Sequence, residues 1–216
     1  MAAYAVSDLH GMYDLYLKIK EILKPEDTLY YLGDACDRGP RGWELIKSLL
    51  ANPQVVYLKG NHEDMLIKAY NDYAYHAPLH IANGGKATLC DCFADPIAEK
   101  VIAELSLLPL VAEYTNKNHQ TFLMSHAGFT PPMTPQKDYI WDRTHFNEDW
   151  PTDIDSIIVH GHTLMQYLAD ELNIDTRNGA LYYCNKHKIC IDCWSCATKA
   201  CILLNLDTLE DYIITI

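Results

Sequence analysis

The sequence predicts an α/β fold in which β-sheets pack on each other and helices lie outside. Two observations predict it: short apolar runs end repeatedly at clusters of Asp, His, Asn and Gly, and segments with helical spacing separate the first of these runs. The chain has 216 residues, of which 49% are apolar. Because cores divide only above about 250 residues, we expect residues 1–216 to form a single domain.

Five short apolar runs are predicted to be buried strands, because each one is bounded by a polar segment that contains glycine. They comprise residues 3–6, 28–32, 55–58, 121–124 and 157–159. The polar clusters that follow them comprise residues 7–11, 33–40, 60–63, 125–128 and 160–163. A strand followed by a polar loop is therefore the recurring unit of this chain.

Two helices are predicted between the first three strands. One has an apolar face formed by Leu15, Ile19, Ile22 and Leu23, and the other has a face formed by Leu45, Ile46, Leu49 and Leu50. The order of elements in this part of the chain is therefore β-α-β-α-β.

The remaining segments are predicted to be helices and a second group of strands. Residues 70–108 have the pattern of connecting helices around an Asn83-Gly84-Gly85 turn, and residues 107–113 resume a strand. After Gly161 a helix is predicted to extend to Leu172. It is followed by strands at residues 180–183, 188–192 and 201–206. A turn at residues 185–187 would pair the first two of these strands as a hairpin.

The five polar clusters are expected to meet in space. In layered α/β folds the loops at the carboxyl ends of the strands converge on one crevice. A single cluster of this kind is typical of a turn that caps the next helix. A cap needs only one polar side chain, however, and four of the five clusters contain a histidine together with another polar group. The pattern therefore predicts a chemical site.

The residue types in these clusters suit a divalent transition metal such as manganese, iron or zinc, because carboxylate, imidazole and neutral amide ligands occur together. Asp8 and His10 alternate along a segment predicted to be extended, so both can bind one ion. Asp34 can bridge that ion to a second. The second ion would be completed by Asn61, His126 and His162. Such a site keeps open positions for a bridging hydroxide and a substrate oxygen, as two-metal hydrolysis of a phosphate ester requires.

Four further side chains are candidates for the reaction itself. Arg38 follows Asp34 closely and can bind phosphate oxygens as a fork, and Arg143 is the second candidate phosphate ligand. His62 is predicted to be the general acid that protonates the leaving oxygen. Asp37 is predicted to hold the His62 ring and to favour its protonated form.

Composition and charge exclude several partners. With 17 basic and 29 acidic side chains the formal net charge is −12, which disfavours binding to duplex nucleic acid. No apolar run approaches the roughly 20 residues that cross a bilayer, so no membrane partner is expected, and the N-terminal residues do not resemble an export signal. The eight cysteines are therefore expected to be reduced thiols in the cytoplasm.

Five motifs carry a family resemblance: DLHG, GDACDRG, GNHE, SHAG and HGHT, in this order between residues 8 and 163. The set resembles the calcineurin-like metallophosphoesterases and, within them, the phosphoprotein phosphatase family. The resemblance implies an α-β-β-α sandwich of mixed sheets flanked by helices. It also implies a dinuclear metal centre and a one-step attack by a metal-bound hydroxide, with no phosphoenzyme.

The resemblance implies the same roles for individual residues. One metal would be bound by Asp8, His10 and Asp34, and the other by Asp34, Asn61, His126 and His162. Trp141-Asp142-Arg143 is similar to the Trp-x-Arg phosphate clamp of the family. Arg38 and Arg143 would be phosphate ligands, His62 the acid and Asp37 its partner.

The substrate follows less directly from the resemblance. The chain is similar in length to a compact bacterial and phage branch that includes serine/threonine-type protein phosphatases and symmetrical dinucleoside tetraphosphatases. The complete Asp37-Arg38 pair favours a protein phosphatase that acts on a phosphorylated protein or a small phosphoester. A tetraphosphatase is the alternative, and a catalytically inactive phosphatase-like binding module is a remote one. Two Mn²⁺ ions are the expected cofactors, with iron or zinc as alternatives, and the oligomeric state is left open.

Several other residues have more than one interpretation. Cys184, Cys190, Cys193, Cys196 and Cys201 could form a zinc or iron-sulfur site, react as thiols, or simply pack as small apolar side chains. Tyr70, Tyr73 and Tyr75 could line a substrate wall, or they could belong to the core or to a dimer surface. Glu63 is expected to cap or brace the next helix. His160 is expected to lie behind the metals or to be an ordinary buried histidine. The histidines outside the motifs are expected to be surface or packing residues: His76, His80, His119, His145 and His187.

Overall fold

Two five-stranded mixed sheets form the centre of the protein. The computed structural model of the chain describes residues 1–130, 138–148, 155–174 and 179–216. The first sheet has the order β10-β9-β1-β2-β3 and the second has the order β4-β5-β6-β8-β7. Strands of the first sheet are β1 Ala3–Val6, β2 Thr28–Tyr31, β3 Val55–Tyr57, β9 Ala200–Asn205 and β10 Asp211–Thr215. Strands of the second are β4 Val111–Thr115, β5 Thr121–Ser125, β6 Ser156–His160, β7 Leu181–Tyr183 and β8 Lys188–Cys190.

Each sheet contains three neighbouring parallel strands. In the first sheet β1 pairs in parallel with β2 and β2 with β3, whereas β9 is antiparallel to both β1 and β10. In the second sheet β5, β6 and β8 are parallel, and the edge strands β4 and β7 are antiparallel to their neighbours. The carboxyl ends of the parallel strands therefore lie at one edge of each sheet, where the polar loops begin.

Helices connect the strands and cover the sheets. They are α1 Tyr13–Ile22, α2 Gly42–Leu50, α3 Asn61–Asn71, α4 Tyr73–Ala82, α5 Lys86–Ala94, α6 Ala98–Ser106, α7 Asp138–Trp141, α8 Met165–Leu172 and α9 Ser195–Thr198. The predicted α-β-β-α sandwich of mixed sheets flanked by helices is confirmed. Within the described ranges, each helix falls short of the length and apolarity needed to cross a bilayer.

The hydrophobic core has two parts, one on each face of the first sheet. On β9, Cys201 and Leu203 pack with helices α1 to α3, α5 and α6. The alternate residues Ile202 and Leu204 pack between the two sheets, together with Phe122 of β5 and other side chains of the second sheet. This alternation buries both faces of the central strands, because successive side chains of a strand point to opposite sides.

Two details differ from the sequence predictions. Ile22 was expected on the core face of α1, but it is 41% exposed because it is the last residue of that helix. Strand β10 was not predicted at all. Its alternation is weak, since only Ile214 is buried, and its position is fixed by antiparallel pairing with β9 over five residue pairs.

Shortening a side chain between the sheets should destabilise the fold. We expect Leu204→Ala, at a fully buried position, to lower the free energy of unfolding by about 2–5 kcal/mol, because it leaves a cavity. Urea titration measures the change. The matched control Ile213→Ala lies in the neighbouring strand at 52% exposure and should change stability little. Equal losses in the two variants would contradict the assignment of Leu204 to the inter-sheet core.

Candidate active site

The five polar loops meet at one edge of the sandwich, as the sequence predicted. Backbone hydrogen bonds join the loops within each sheet: Asp8 N donates to Gly33 O at 3.1 Å, and Gly161 N donates to His126 O at 2.9 Å. Side-chain contacts join the loops of the two sheets; for example, His162 N donates to Asp8 Oδ2 at 3.0 Å. The loops that follow β1, β2, β5 and β6 therefore form one continuous wall.

The backbone of this wall is not extended. Asp8 has φ 55°, His10 has φ 44°, and Asp34, Asp37, Arg38 and His162 are also in the left-handed region. The predicted extended alternation of Asp8 and His10 is therefore wrong, since β1 ends at Val6. The two side chains nevertheless converge, with His10 Nε2 3.9 Å from Asp8 Oδ1. Left-handed backbone at non-glycine residues costs free energy and is concentrated at functional sites.

Two groups of potential metal ligands share Asp34. In the first group the donor atoms of His10, Asp34 and His62 all lie within 4.8 Å of one another, and in the second so do those of Asp34, His126 and His162. Asp34 Oδ2 is 3.6 Å from His10 Nε2, and Oδ1 is 3.3 Å from His126 Nε2. One carboxylate thus faces both groups, which is the arrangement that a bridging ligand needs.

Asn61 and Asp8 extend these groups. Asn61 is the first residue of α3, and its Oδ1 lies 2.9 Å from His126 Nε2. Asp8 Oδ1 faces His10, while Oδ2 accepts hydrogen bonds from Ser7 Oγ and His162 N. All six predicted ligands are therefore brought together: Asp8, His10, Asp34, Asn61, His126 and His162.

Hydrogen bonds fix the orientation of two of the imidazoles. His10 Nδ1 lies 2.8 Å from Cys36 O, and His126 Nδ1 lies 2.8 Å from Leu32 O. Because a carbonyl oxygen only accepts, Nδ1 donates in both rings, and Nε2 is the nitrogen that faces the other candidate ligands. Histidines that bind metals in proteins are oriented in this way. The two rings therefore fit a metal at the Asp34 side.

Buried negative charge also fits a divalent cation. Burial raises the pKa of Asp8, and the nearby Asp34 carboxylate raises it further. Burial and Asp8 hold the pKa of Asp192 well above its usual range. Burial alone would lower the pKa of His126, but Asp34 and Asp8 raise it to about 10. Carboxylates that stabilise a positive charge this strongly would also stabilise a metal ion.

Glu63 holds the loop that carries Asp34. Its two carboxylate oxygens accept hydrogen bonds from the backbone N–H groups of Asp34, Ala35 and Gly60 at 2.7–2.8 Å and from Tyr57 Oη at 2.9 Å. Glu63 thus braces the start of α3 as expected. It also fixes the loop after β2, a contact that the sequence did not indicate.

Both predicted phosphate ligands reach into the site. Arg38 Nη1 is 2.7 Å from His10 Nε2, and Nη2 is 3.0 Å from His62 Nε2. Arg143 Nε donates to His162 Nε2 at 3.1 Å, and Nη2 donates to His162 O at 3.4 Å. Since the lone pair on Nε2 serves one partner at a time, a metal bound to Nε2 of His10 or His162 would replace the contact of that nitrogen with Arg38 or Arg143.

His62 and Asp37 form a close pair. His62 Nδ1 lies 2.6 Å from Asp37 Oδ2, and both side chains are buried. Burial alone would lower the pKa of His62, but Asp34 and Asp37 raise it. A second imidazole, that of His80, lies 2.7 Å from the same Asp37 oxygen. His80 was expected to be a surface or packing residue. No sequence motif marks it, because its partner is 43 positions away.

Another buried polar cluster lies behind His126 and His162. His160 Nε2 is 2.7 Å from Tyr183 Oη, and the ring of His160 packs on that of His145. The buried Lys188 Nζ donates to Thr130 Oγ1 at 2.7 Å and to His145 O. His160 is therefore a buried histidine that contacts Tyr183 and the ring of His145.

The cysteines near the end of the chain bind backbone carbonyl groups. Cys190 Sγ donates to Thr163 O at 3.2 Å, Cys193 Sγ to Ala200 O at 3.2 Å, and Cys196 Sγ to His10 O at 3.4 Å. Burial raises the pKa of all three thiols. In the part of the chain that is described, neither group of potential metal ligands contains a cysteine. The geometry therefore favours packing thiols over a structural metal site.

The tyrosine cluster belongs to the helical layer. Tyr70 stacks on Phe93 with ring centroids 5.4 Å apart, and Tyr73 contacts the same ring edge-on at 5.8 Å. Tyr75 is 77% exposed. These contacts favour packing within the helices over a substrate wall.

Comparison with known proteins agrees with this geometry. The family model described as calcineurin-like phosphoesterase matches residues 1–193. The chain is 30% identical over 143 residues to a symmetrical bis(5'-nucleosyl)-tetraphosphatase from Psychromonas ingrahamii, a match that covers 63% of this chain and 48% of that protein. It is 28% identical over 161 residues to serine/threonine-protein phosphatase 2 from Escherichia coli K12, a match that covers 69% of this chain and 67% of that protein.

The fold has relatives among solved structures. A serine/threonine protein phosphatase from Saccharomyces cerevisiae superposes with a TM-score of 0.62 at 15% identity, covering 100% of this chain and 80% of that one. The present chain spans about half the length of the tetraphosphatases that it matches.

Asp34 should control the binding of both metals. We expect Asp34→Asn to bind fewer Mn²⁺ ions than the unchanged protein, because the amide loses the charge and one oxygen donor that face both ligand groups. Equilibrium dialysis with elemental analysis measures the number of ions per chain. Asp64→Asn, on the outer part of α3, is the matched control. Two ions still bound to a folded Asp34→Asn variant would contradict a bridging role.

Proposed function

The chain belongs to the calcineurin-like phosphoesterase family, and on that premise we propose that it hydrolyses phosphomonoesters with two divalent metal ions. The protein would act as a serine/threonine-type protein phosphatase. One observation carries the proposal: Asp34 faces two groups of potential metal ligands, and Arg38 and the His62–Asp37 pair lie next to Asp34 and His10.

The six side chains Asp8, His10, Asp34, Asn61, His126 and His162 would hold the two ions. When bound, these ions would polarise the phosphoryl oxygens and lower the pKa of a coordinated water. We propose Mn²⁺, with iron or zinc as alternatives, because the ligands mix carboxylate, amide and imidazole.

The remaining side chains would bind and protonate the substrate. Arg38 and Arg143 would bind the phosphate oxygens, since a guanidinium group can donate two parallel hydrogen bonds to them. Once Arg38 has turned to the phosphate, Nε2 of His62 would be released from their 3.0 Å contact. Nε2 could then take up a proton from solvent and donate it to the leaving oxygen. The raised pKa of His62 supports this role, because the ring then keeps its proton at pH values closer to neutrality. Asp37 would orient the ring through Nδ1.

Hydrolysis of dinucleoside polyphosphates is a second candidate function. It is supported by the tetraphosphatase relatives from Psychromonas ingrahamii and Nitrosococcus oceani, at 30% and 34% identity. The protein phosphatase is favoured by the Escherichia coli relative, which the chain spans more completely. Rates on a phosphoserine peptide, a phosphotyrosine peptide and diadenosine tetraphosphate distinguish the candidates. The phosphoserine peptide should be hydrolysed fastest, and a faster rate on the dinucleotide would favour the alternative.

A reducing compartment suits the cysteines. All eight are free thiols, five of them buried. We therefore propose a cytoplasmic location, and the net charge of −12 argues against duplex nucleic acid as a partner.

Loss of the proton donor should slow the reaction without removing the metals. We expect His62→Asn to lower turnover of a phosphoserine peptide by about 10²- to 10⁴-fold, the usual contribution of a general acid. Steady-state kinetics in Mn²⁺ measure the change, and metal content should be retained. His119→Asn, on an exposed turn, is the control.

Two results would contradict the proposal. Unchanged turnover in His62→Asn would remove His62 from the role of acid. An unchanged protein that hydrolyses neither p-nitrophenyl phosphate nor any phosphopeptide in manganese, iron or zinc would instead favour an inactive binding module.

A further inference from the structure

The side chain of His80 contacts the His62–Asp37 pair on the side of Asp37. The imidazole of His80, on α4, is fully buried. Its Nε2 lies 2.7 Å from Asp37 Oδ2, the same oxygen that lies 2.6 Å from His62 Nδ1. Two rings thus meet at one carboxylate oxygen, and only one of them faces the phosphate-binding Arg38.

These two rings orient the Asp37 carboxylate. Asp37 is fully buried, and within the described parts of the chain its other oxygen, Oδ1, has no hydrogen-bond partner. The backbone N–H of Asp37 donates to Thr88 Oγ1 at 3.0 Å. This bond holds the main chain but does not itself restrain the carboxylate. Without His80, the carboxylate would therefore be oriented by His62 alone.

The hydrogen bonds also stabilise the charge of Asp37. Burial alone would raise its pKa, but the hydrogen bonds from His62 and His80 lower it to about 2. An ionised carboxylate only accepts, so each ring donates an N–H to it. Asp37 therefore remains an acceptor for His62 Nδ1.

The turn after α4 is built around the His80 ring. Gly85 N donates to His80 O at 2.9 Å, and a Cβ atom at position 85 would overlap the ring. Gly84 has φ 93°, and its carbonyl accepts a hydrogen bond from Arg38 N at 3.1 Å. The turn thus holds the ring of His80 in place and the backbone of Arg38 beside it.

We propose that His80 is a positioning residue for proton donation to the leaving group: it holds the Asp37 carboxylate, which in turn holds the His62 ring toward the leaving oxygen of the substrate. This inference rests on the proposed function. His80 touches neither the metal ligands nor the phosphate-binding arginines through its side chain, and it acts only through Asp37.

The leaving group provides the test, because a proton donor matters most when the leaving alkoxide is strongly basic. For a phosphoserine peptide we expect His80→Leu to lower kcat by about 10-fold or more, a part of the 10²- to 10⁴-fold contributed by a general acid. For p-nitrophenyl phosphate, whose phenolate leaves without a proton, kcat should change by less than about 3-fold. His80→Gln, whose amide can still donate toward Asp37, should recover part of the loss.

Three controls separate positioning from a structural effect. His76→Gln changes a half-buried histidine on the same helix and should leave both rates unchanged. Circular dichroism and Mn²⁺ content show that the variants are folded and loaded. The double variant His62→Asn/His80→Leu should be no slower on the phosphopeptide than His62→Asn alone, because residues that act as a unit are not additive.

The results that would overturn the role of His80 differ from the result that would overturn the proposed function. Equal losses on both substrates, or a further loss in the double variant, would show a structural role and overturn the inference, and so would an unchanged phosphopeptide rate. If His80→Leu does not fold, His80→Asn, which is too short to reach Asp37, replaces it in the same comparison. If the unchanged protein hydrolyses neither substrate, the proposed function itself fails.

Discussion

Buried negative charge is the constraint on which the rest of the site depends. Five carboxylates lie buried where the loops of the two sheets meet: Asp8, Asp34, Asp37, Glu63 and Asp192. Glu63 accepts hydrogen bonds from three backbone N–H groups and from Tyr57, and Asp37 accepts from two imidazoles. Asp8 and Asp192 have too few donors, and burial together with their mutual repulsion raises the pKa of Asp192 well above its usual range. The fold therefore places unbalanced charge beside Asp34, and a cation is the simplest partner for it.

The loops can hold this charge because the sandwich fixes them from both sides. Asp8 and Asp34 have left-handed backbones, which are uncommon for residues other than glycine, although Asp adopts them more often than most. Their positions are set by hydrogen bonds from neighbouring loops: Asp34 N donates to Glu63, and Asp8 Oδ2 accepts from His162 N. The packed core between the sheets thus stabilises a backbone that would be unfavourable in isolation.

Much of the fold and the ligand set could be predicted from sequence because both depend on local patterns. Strand ends followed by Asp, His and Asn predicted that Asp34, Asn61 and His126 would meet, as they do. Two features could not be predicted. The left-handed backbone of Asp8 reflects tertiary hydrogen bonds rather than residue type. The contact of His80 with Asp37 joins positions 43 residues apart, and only the packing of α4 against the loop after β2 creates it.

Arg38 links metal binding to proton donation within the proposed function. Its guanidinium group lies between Nε2 of His10 and Nε2 of His62. A metal held by His10 would require that lone pair, so Arg38 would have to leave His10, and a phosphate would offer it a new partner. The same movement would free His62 Nε2 to take up a proton, while Asp37 and His80 keep the ring in place. Because Arg38 contacts Nε2 of both rings, its movement would couple binding at His10 to protonation of His62.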